Sequence, residues 1–140
     1  MYLIGDIGNS EIKICLVTSK KKIIKRINFS SNDISRTNVK KYFKSSYKYF
    51  SKIEKILFCS VVPSSFNLIK KFLKKKTKVK CYEVKELNLT SLIKIKVNYN
   101  QVGSDRVTNA ISLIDNKKNF IIVDLGTATT FDVLIKNDYI

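Results

Sequence analysis

The sequence predicts an α/β fold in which an antiparallel three-stranded meander is followed by parallel strands joined through helices. Three observations predict it. Short strand-like runs follow one another near the N-terminus, two further strand-like runs flank a helical pattern, and a strand–turn–strand pair comes last. Consecutive strands joined by short turns pair antiparallel, whereas strands separated by a helix pair parallel.

The predicted meander consists of the runs Tyr2–Ile7, Ile12–Thr18 and Ile23–Phe29. In the second run, every second residue is a large aliphatic one, namely Ile12, Ile14 and Leu16. A period of two is typical of a half-buried strand. The intervening segments, Gly8–Ser10 and Lys20–Lys22, contain typical turn residues or charged residues. These features indicate antiparallel pairing of all three strands.

The parallel part is predicted from the middle of the chain. Aromatic side chains at three- and four-residue steps indicate a helix over Val39–Phe50. Lys55–Val62 is nearly all apolar, as a strand covered on both faces would be, and Pro63 ends it. A helix over Ser65–Leu73 and a strand over Val79–Val84 complete a strand–helix–strand unit, which favours parallel pairing.

The pattern is less regular towards the end of the chain. Residues 87–100 are ambiguous, and Gly103–Arg106 is predicted to open a helix that ends near Ile114. Phe120–Leu125 and Phe131–Ile135 then predict a hairpin around the turn at 126–130.

We expect two domains, a first one over residues 1–117 and the beginning of a second, truncated one over residues 118–140. A hairpin alone is only marginally stable and would leave apolar faces exposed. We therefore expect the chain to be a fragment or a split gene product.

The chain of 140 residues is strongly basic, with 27 Lys and Arg against 11 Asp and Glu and a formal charge of +16. Such a balance raises the hypothesis of a nucleic-acid-binding protein. Only Arg26, Arg36 and Arg106 are arginines, however, and base recognition favours arginine. A solvated lysine surface is the favoured interpretation, and we expect no nucleic-acid partner.

Cysteine and histidine usage excludes some site chemistries. The chain has no His, and its three cysteines have no CxxC spacing, so a Cys/His zinc site and a histidine base are excluded. An odd number of cysteines in apolar runs is typical of a reduced, cytoplasmic protein. No signal peptide or membrane-length apolar run is visible, and we expect no membrane partner.

Two similar turns carry the first candidate chemistry. Asp6-Ile-Gly8-Asn-Ser and Asp124-Leu-Gly126-Thr-Ala both follow an apolar strand and precede another strand. Glycine lets the backbone approach a phosphate, and an aspartate can hold a cation that neutralises phosphate charge. Each turn alone is explained by hairpin formation. Two copies favour a phosphate site, in which Asp6 and Asp124 face one another across a cleft.

The segment Gly103-Ser104-Asp105-Arg106 has two interpretations of equal weight. Ser104 or Asp105 could act only as a helix N-cap. Alternatively, Asp105 accepts a proton from a hydroxyl group, and Arg106 binds an anionic group on the substrate or on a dimer partner.

These segments, in this order and spacing, resemble the type III pantothenate kinases. The resemblance rests on Asp6-Ile-Gly-Asn-Ser, Gly103-Ser-Asp-Arg and Asp124-Leu-Gly-Thr-Ala-Thr-Thr, with a weaker contribution from Cys59-Ser-Val-Val-Pro63. That family belongs to the actin/hexokinase/Hsp70-like kinases with duplicated ribonuclease-H-like domains. The resemblance therefore implies a ribonuclease-H-like first domain and the first hairpin of a similar second domain.

The resemblance also implies an activity, the ATP-dependent phosphorylation of pantothenate at the start of coenzyme A synthesis. It implies that Asp105 is the catalytic base, that Thr127 contacts ATP, and that Asp124 binds a monovalent cation, potassium or ammonium. Magnesium would accompany ATP. The resemblance further assigns the ATP phosphates to the first turn, which comprises Asp6, Ile7, Gly8, Asn9, Ser10, Glu11, Ile12 and Lys13.

Pantothenate itself would be bound by Gly103, Ser104, Asp105 and Arg106, with Tyr99 as the substrate tyrosine. The resemblance implies a homodimer whose substrate site draws on both subunits. This chain departs from the family pattern by Ser10 in place of Thr, by a shorter stretch between Tyr99 and Gly103, and by roughly half the family length. A non-catalytic or regulatory member of the same fold is therefore an alternative.

Overall fold

The computed structural model describes residues 1–140. The chain forms two compact units, Met1–Val84 and Lys85–Ile140, and each is described by itself. The domain division at residue 117 expected from the sequence stays a prediction. No helix is long and apolar enough to cross a membrane.

The first unit contains a five-stranded sheet in the order β3-β2-β1-β4-β5. Strands β1 and β2 pair antiparallel, as do β2 and β3, while β1 with β4 and β4 with β5 pair parallel. The predicted meander followed by parallel strands is confirmed. The strands are β1 Tyr2–Ile7, β2 Glu11–Val17, β3 Ile23–Ser30, β4 Lys55–Ser60 and β5 Cys81–Glu83.

The alternation in β2 determines which face of the sheet is buried. Ile12 and Ile14 are fully buried, whereas Glu11 and Lys13 are exposed, as a period of two requires. The neighbouring strand β1 contributes Gly5, where an added Cβ would lie 2.3 Å from a ring carbon of Phe58. The absence of a side chain at Gly5 therefore leaves the room that Phe58 occupies in the core.

Two helices pack in the first unit, α1 Val39–Phe43 and α2 Pro63–Thr77. The helix predicted over Val39–Phe50 is α-helical only as far as Phe43, and a 3₁₀ helix, Lys44–Lys52, follows it. Its aromatic side chains nevertheless pack inward. The ring of Phe43 lies 5.2 Å from that of Phe72 on α2, measured between centroids. The aromatic residues at helical spacing therefore reach the core, although the second half of the segment is a 3₁₀ helix and not an α-helix.

The second unit contains a four-stranded sheet in the order β6-β9-β8-β7. The predicted hairpin is confirmed as β7 and β8, which pair antiparallel, and β9 adds antiparallel to β8. Helix α3, predicted to open at 103–106, begins at Ser104. The elements are β6 Lys94–Ile95, α3 Ser104–Ser112, β7 Asn119–Leu125, β8 Thr129–Ile135 and β9 Asp138–Tyr139, with a short 3₁₀ helix at Tyr99–Gln101. Two further short 3₁₀ helices are Ser31–Asp33, in the first unit, and Val84–Glu86, where the two units meet along the chain.

The two faces of the β7–β8 hairpin differ sharply. One face carries buried residues, among them Ile122 and Leu134. The opposite face is apolar but exposed, with Leu125 at 79% and Phe131 at 65% exposure. The apolar side chains of this exposed face are Ile121, Val123, Leu125, Phe131, Val133 and Ile135.

Candidate functional site

The turn between β1 and β2 is held by backbone and side-chain hydrogen bonds. The Gly8 N–H donates to the Glu11 carbonyl at 3.0 Å, which closes the turn. From the segment after β3, the Ser31 hydroxyl donates to the Gly8 carbonyl at 2.6 Å, and its N–H donates to the Ser10 carbonyl at 3.0 Å. Three carbonyls are therefore occupied, and the turn presents the exposed side chains of Asn9 and Ser10 to solvent.

The remaining residues of this segment divide between surface and core. Ile7 and Ile12 are completely buried, so they can contribute only backbone atoms to a bound phosphate. Glu11 and Lys13 are exposed and form an ion pair with 3.4 Å between Lys13 Nζ and Glu11 Oε2. Asp6 is half-buried, and its Oδ1 lies 3.4 Å from Cys59 Sγ, which donates to it.

The second turn lies in the other compact unit and follows β7. The Gly126 N–H donates to the Ala128 carbonyl at 3.2 Å, and Thr127 is exposed. Asp124, just before the turn, accepts a hydrogen bond from the Asn109 side chain at 3.3 Å. Asp6 and Asp124 belong to different units, and the expectation that they face one another stays a prediction.

Asp124 is not part of a closed metal site. No group of three or more His, Cys, Asp or Glu side chains is placed to hold a metal ion. Asp124 offers its Oδ1, which an added Cβ at Gly126 would approach to 4.0 Å. A single carboxylate is typical of magnesium and other hard cations that also bind substrate phosphates.

The candidate base lies in the first turn of α3. Gly103 precedes the helix in an extended conformation and is its N-cap, without a side-chain hydrogen bond. The Asp105 Oδ1 accepts the backbone N–H of Arg106 at 2.8 Å. Neither Ser104 nor Asp105 is the N-cap, but Asp105 does satisfy one of the free N–H groups of the first turn. Ser104 is buried, at 2% exposure.

Arg106 is held by a buried carboxylate that the sequence analysis did not single out. Its Nε donates to Asp132 Oδ1 at 2.7 Å, and its Nη2 contacts the same oxygen and donates to the Phe131 carbonyl at 3.1 Å. The Tyr139 hydroxyl also donates to Asp132 Oδ1. Asp132 is 2% exposed, and its Oδ2 has no hydrogen-bond partner.

This network shifts two proton affinities in the same direction. The hydrogen bond to Asp132 raises the pKa of Arg106. Burial, followed by the hydrogen bond to Asp132, raises the pKa of Tyr139 to about 12. Both groups therefore keep their protons at neutral pH and donate them to the same carboxylate oxygen.

Tyr99 lies in the 3₁₀ helix Tyr99–Gln101 and is half-buried. The Lys85 ammonium donates to the carbonyls of Tyr99 at 2.7 Å and Val102 at 3.0 Å, and it lies 4.4 Å from the centre of the Tyr99 ring. Lys85 therefore fixes the backbone on the N-terminal side of Gly103. The Tyr99 side chain borders a cavity of about 280 Å³ that is lined also by Leu87, Asn88, Leu89, Thr90, Ile93 and Ile95.

Within the second unit, two polar links join α3 to the hairpin. Arg106 and Asn109 are three residues apart and so share one face of α3. Arg106 contacts Asp132, and Asn109 contacts Asp124. Asp132 pairs with Ile122 across the hairpin, and Ile122 and Asp124 are two positions apart on β7, so both carboxylates lie on the buried face. Helix α3, which begins with the Gly-x-Asp-Arg segment, is thereby linked to the hairpin that carries the second turn.

Four contributing residues escaped the sequence analysis, namely Ser31, Asn109, Asp132 and Tyr139. Asp132 carried a usable signal, since it is the one acid within the apolar run of β8 and pairs with the buried Ile122. Tyr139 carried none, because β9 has only two residues and no periodicity.

Comparisons with known proteins agree on a family. The family model described as type III pantothenate kinase matches residues 2–140. A curated type III pantothenate kinase of Pelagibacter ubique is 58% identical over 139 residues, which are 99% of this chain and 56% of the relative. One from Fusobacterium nucleatum is 32% identical over 143 residues, covering 96% of this chain and 56% of the relative. The chain thus spans about half the length of the curated relatives it matches.

One solved structure supports the fold. It was determined for a candidate N-acetylglucosamine kinase from Porphyromonas gingivalis, with a TM-score of 0.53, 14% identity, and coverage of 99% of this chain and 46% of that one. At this identity the likeness concerns the fold alone, and it confirms the predicted ribonuclease-H-like α/β class. Because the family model matches nearly every residue, and because two aspartate–glycine segments flank Gly-x-Asp-Arg in the sequence, the chain belongs to the type III pantothenate kinase family.

Proposed function

We propose that this chain contributes to the ATP-dependent phosphorylation of pantothenate, the reaction that begins coenzyme A synthesis. The family supports this proposal, and one observation on the chain carries it. Helix α3 places Asp105 in its first turn and binds, through Arg106 and Asn109, the hairpin that bears Asp124 and Thr127. A candidate base and a candidate phosphate turn are therefore parts of one packed unit.

In the proposed mechanism, Asp105 accepts the proton of the primary hydroxyl group of pantothenate. The freed oxygen attacks the γ-phosphorus of ATP, the bond from that phosphorus to the bridging oxygen breaks, and ADP leaves. Phosphoryl transfer needs an aligned nucleophile and neutralised charge more than covalent assistance. The first turn of a helix favours the carboxylate anion that this role needs.

Arg106 is suited to bind the pantothenate carboxylate while it keeps its hydrogen bonds to Asp132 and Phe131. A guanidinium has five N–H donors, and the hydrogen bonds to Asp132 and Phe131 use only its Nε and Nη2. Its Nη1 is left for a substrate anion. Gly103 and Ser104 would offer backbone groups beside it, and Tyr99 would form a wall of the same site.

The first turn, Asp6–Lys13, would hold the ATP phosphates through its backbone N–H groups and through Asn9, Ser10 and Lys13. Thr127 would contact ATP from the second turn. Potassium or ammonium at Asp124, with magnesium on ATP, would neutralise phosphate charge. We also propose that the protein is a cytoplasmic homodimer, as the family resemblance implies.

The test compares this chain by itself with the chain fused to the part of the Pelagibacter ubique relative that lies beyond the match. ADP formation is measured with ATP, magnesium and potassium, in the presence and absence of pantothenate. We expect pantothenate-dependent ADP formation from the fused protein. ATP binding without turnover in both forms would instead support a non-catalytic role, and turnover that ignores pantothenate would contradict the proposed substrate.

A further inference from the structure

The first unit contains a second cavity that none of the assigned residues lines. It has a volume of about 520 Å³ and lies between the start of α1 and one face of α2. The α2 residues that line it recur at three- and four-residue steps, so they form a single face of that helix. The complete lining consists of Arg36, Val39, Lys40, Ser64, Asn67, Leu68, Lys71, Phe72 and Lys75.

Four cationic side chains converge on this cavity, and no acidic side chain lines it. They are Arg36, Lys40, Lys71 and Lys75, all of them exposed. None of the four has an ion pair or a side-chain hydrogen bond within the chain, in contrast to Lys13, Lys96 and Lys118 elsewhere. Like charges around a common space raise the local positive potential, which an anionic ligand would relieve.

The remaining residues of the lining are apolar or neutral, and they indicate which uncharged groups a ligand would carry. Phe72 and Val39 are buried at the floor and Leu68 is half-buried, so the interior of the cavity is apolar. Ser64 and Asn67 add exposed groups that can donate and accept hydrogen bonds. An apolar floor with a few polar groups at the rim is typical of small-molecule sites, and the volume lies within their usual range.

We propose that this cavity binds a small organic phosphate, a molecule with at least two negative charges on phosphate groups beside an apolar portion. The cations would bind the phosphates, and Leu68 and Phe72 would contact the apolar portion. Nucleic acid is less well matched because Arg36 is the only arginine in the lining and no tyrosine lines the space for bases to stack on.

The experiment is a titration of the isotope-labelled chain, followed by amide NMR shifts. Inorganic pyrophosphate probes the phosphates alone, ATP adds an apolar base, and citrate is a polyanion without phosphate. The test variant is the double substitution Lys71→Gln/Lys75→Gln. Its control is Lys44→Gln/Lys74→Gln, which removes the same charge from exposed positions outside the cavity. Glutamine retains helix propensity, so both variants should fold.

We expect pyrophosphate and ATP to shift the amides of Ser64, Asn67 and Leu68, with ATP binding more tightly. The test variant should weaken binding by about tenfold or more, because charge-assisted contacts are lost. The control should weaken it by about twofold at most, since separated surface charges are screened.

Four outcomes would overturn the proposal. The first is equal weakening by both variants, which would mean attraction by net charge alone. The second is shifts confined to Gly8, Asn9 and Ser10. The third is citrate binding as tightly as pyrophosphate, or ATP binding less tightly than pyrophosphate. The fourth is displacement of both phosphates by a short single-stranded oligonucleotide that binds more tightly, which would assign the cavity to nucleic acid.

Discussion

Asp132 shows how a single buried charge is accommodated. Its carboxylate is almost without solvent contact, and one oxygen receives hydrogen bonds from both Arg106 and Tyr139. Burial of an unpaired carboxylate would be costly, so the three side chains form a unit that depends on all its members.

Replacement of this carboxylate should therefore destabilise the fold. Asp132→Asn leaves Arg106 without its counterion, and we expect a loss of about 2–4 kcal/mol in the free energy of unfolding. Urea denaturation followed by circular dichroism measures it. Asp138→Asn is the control, because Asp138 forms an exposed pair with Lys96 at 3.6 Å and should change stability by about 0.5 kcal/mol or less. Equal losses in both variants would contradict the network's importance.

Tyr139 gives the same network a pH dependence. Its pKa is raised to about 12 in the folded chain, against about 10 for an ordinary tyrosine. The stabilisation is therefore complete below about pH 10 and is lost as the pH rises from there through about 12. Ultraviolet titration of phenolate formation should show a late component that disappears in Tyr139→Phe and moves to lower pH in Asp132→Asn. Titration of Tyr139 near the ordinary value of about 10 in the unsubstituted chain would contradict the proposed pH dependence.

Asp105 is the residue on which the proposed reaction depends most. Asp105→Asn retains an oxygen that can accept the Arg106 N–H, so folding should be unaffected. The catalytic role predicts a fall in kcat of about a hundredfold or more in the fused protein, with a smaller change in KM. Asp115→Asn, in the turn after α3, should have near-normal kcat. Near-normal kcat in Asp105→Asn would contradict the catalytic role and leave Asp105 only the role of stabilising the start of α3.

At the scale of elements, the sequence predicted what periodicity and turn chemistry determine. The meander was predictable because apolar residues alternate along β2 and Gly8 lies in its first turn. The β7–β8 hairpin was predictable because two apolar runs flank the turn that contains Gly126. The helix predicted over Val39–Phe50 continues after Phe43 as a 3₁₀ helix. Aromatic residues at helical spacing do not distinguish α-helical from 3₁₀ geometry. Strand β9 was missed because two residues carry no periodic signal.

The candidate site was predictable only where its residues stand in contiguous segments. Gly103–Arg106 and the two aspartate–glycine turns could be found by reading along the chain. Asp132 contacts Arg106 only because α3 packs against the hairpin, and Tyr139 contacts Asp132 from the neighbouring strand β9. Such contacts between separate elements have no local sequence pattern. The functional assignment of the segments stays a prediction until the variants are measured.

Packing between adjacent strands gives a prediction at Gly5. An added Cβ would lie 2.3 Å from Phe58 Cε1, so Gly5→Ala must displace a fully buried ring. Overpacking of this kind costs about 1–3 kcal/mol, measurable as a lower urea midpoint. Gly126→Ala is the matched control, since the nearest atom outside the glycine's neighbours would be 3.7 Å away and neither substitution requires a positive φ. A larger loss at Gly126 would refute this account of the β1–β4 packing.

At the scale of the whole molecule, the exposed face of the β7–β8 hairpin dominates the expected behaviour. Opposite residues share a face of a sheet, and the register pairs Ile121 with Val133 and Val123 with Phe131, so the exposed side chains form one continuous apolar surface. Contiguous apolar surfaces of this kind are typical of interaction sites or of self-association.

We therefore expect the chain by itself to self-associate and to bind a hydrophobic dye through this surface. Leu125→Ser/Phe131→Ser removes two of its three most exposed side chains and should shift sedimentation towards the monomer while reducing dye fluorescence. Leu92→Ser/Val97→Ser is the control, because these residues are 48% and 42% exposed but lie outside the hairpin. Both substitutions replace apolar side chains in the same unit, so a purely compositional effect would be equal in the two variants. A monomer that ignores the dye in the unsubstituted chain, or equal effects of the two variants, would refute the assignment of self-association to this face.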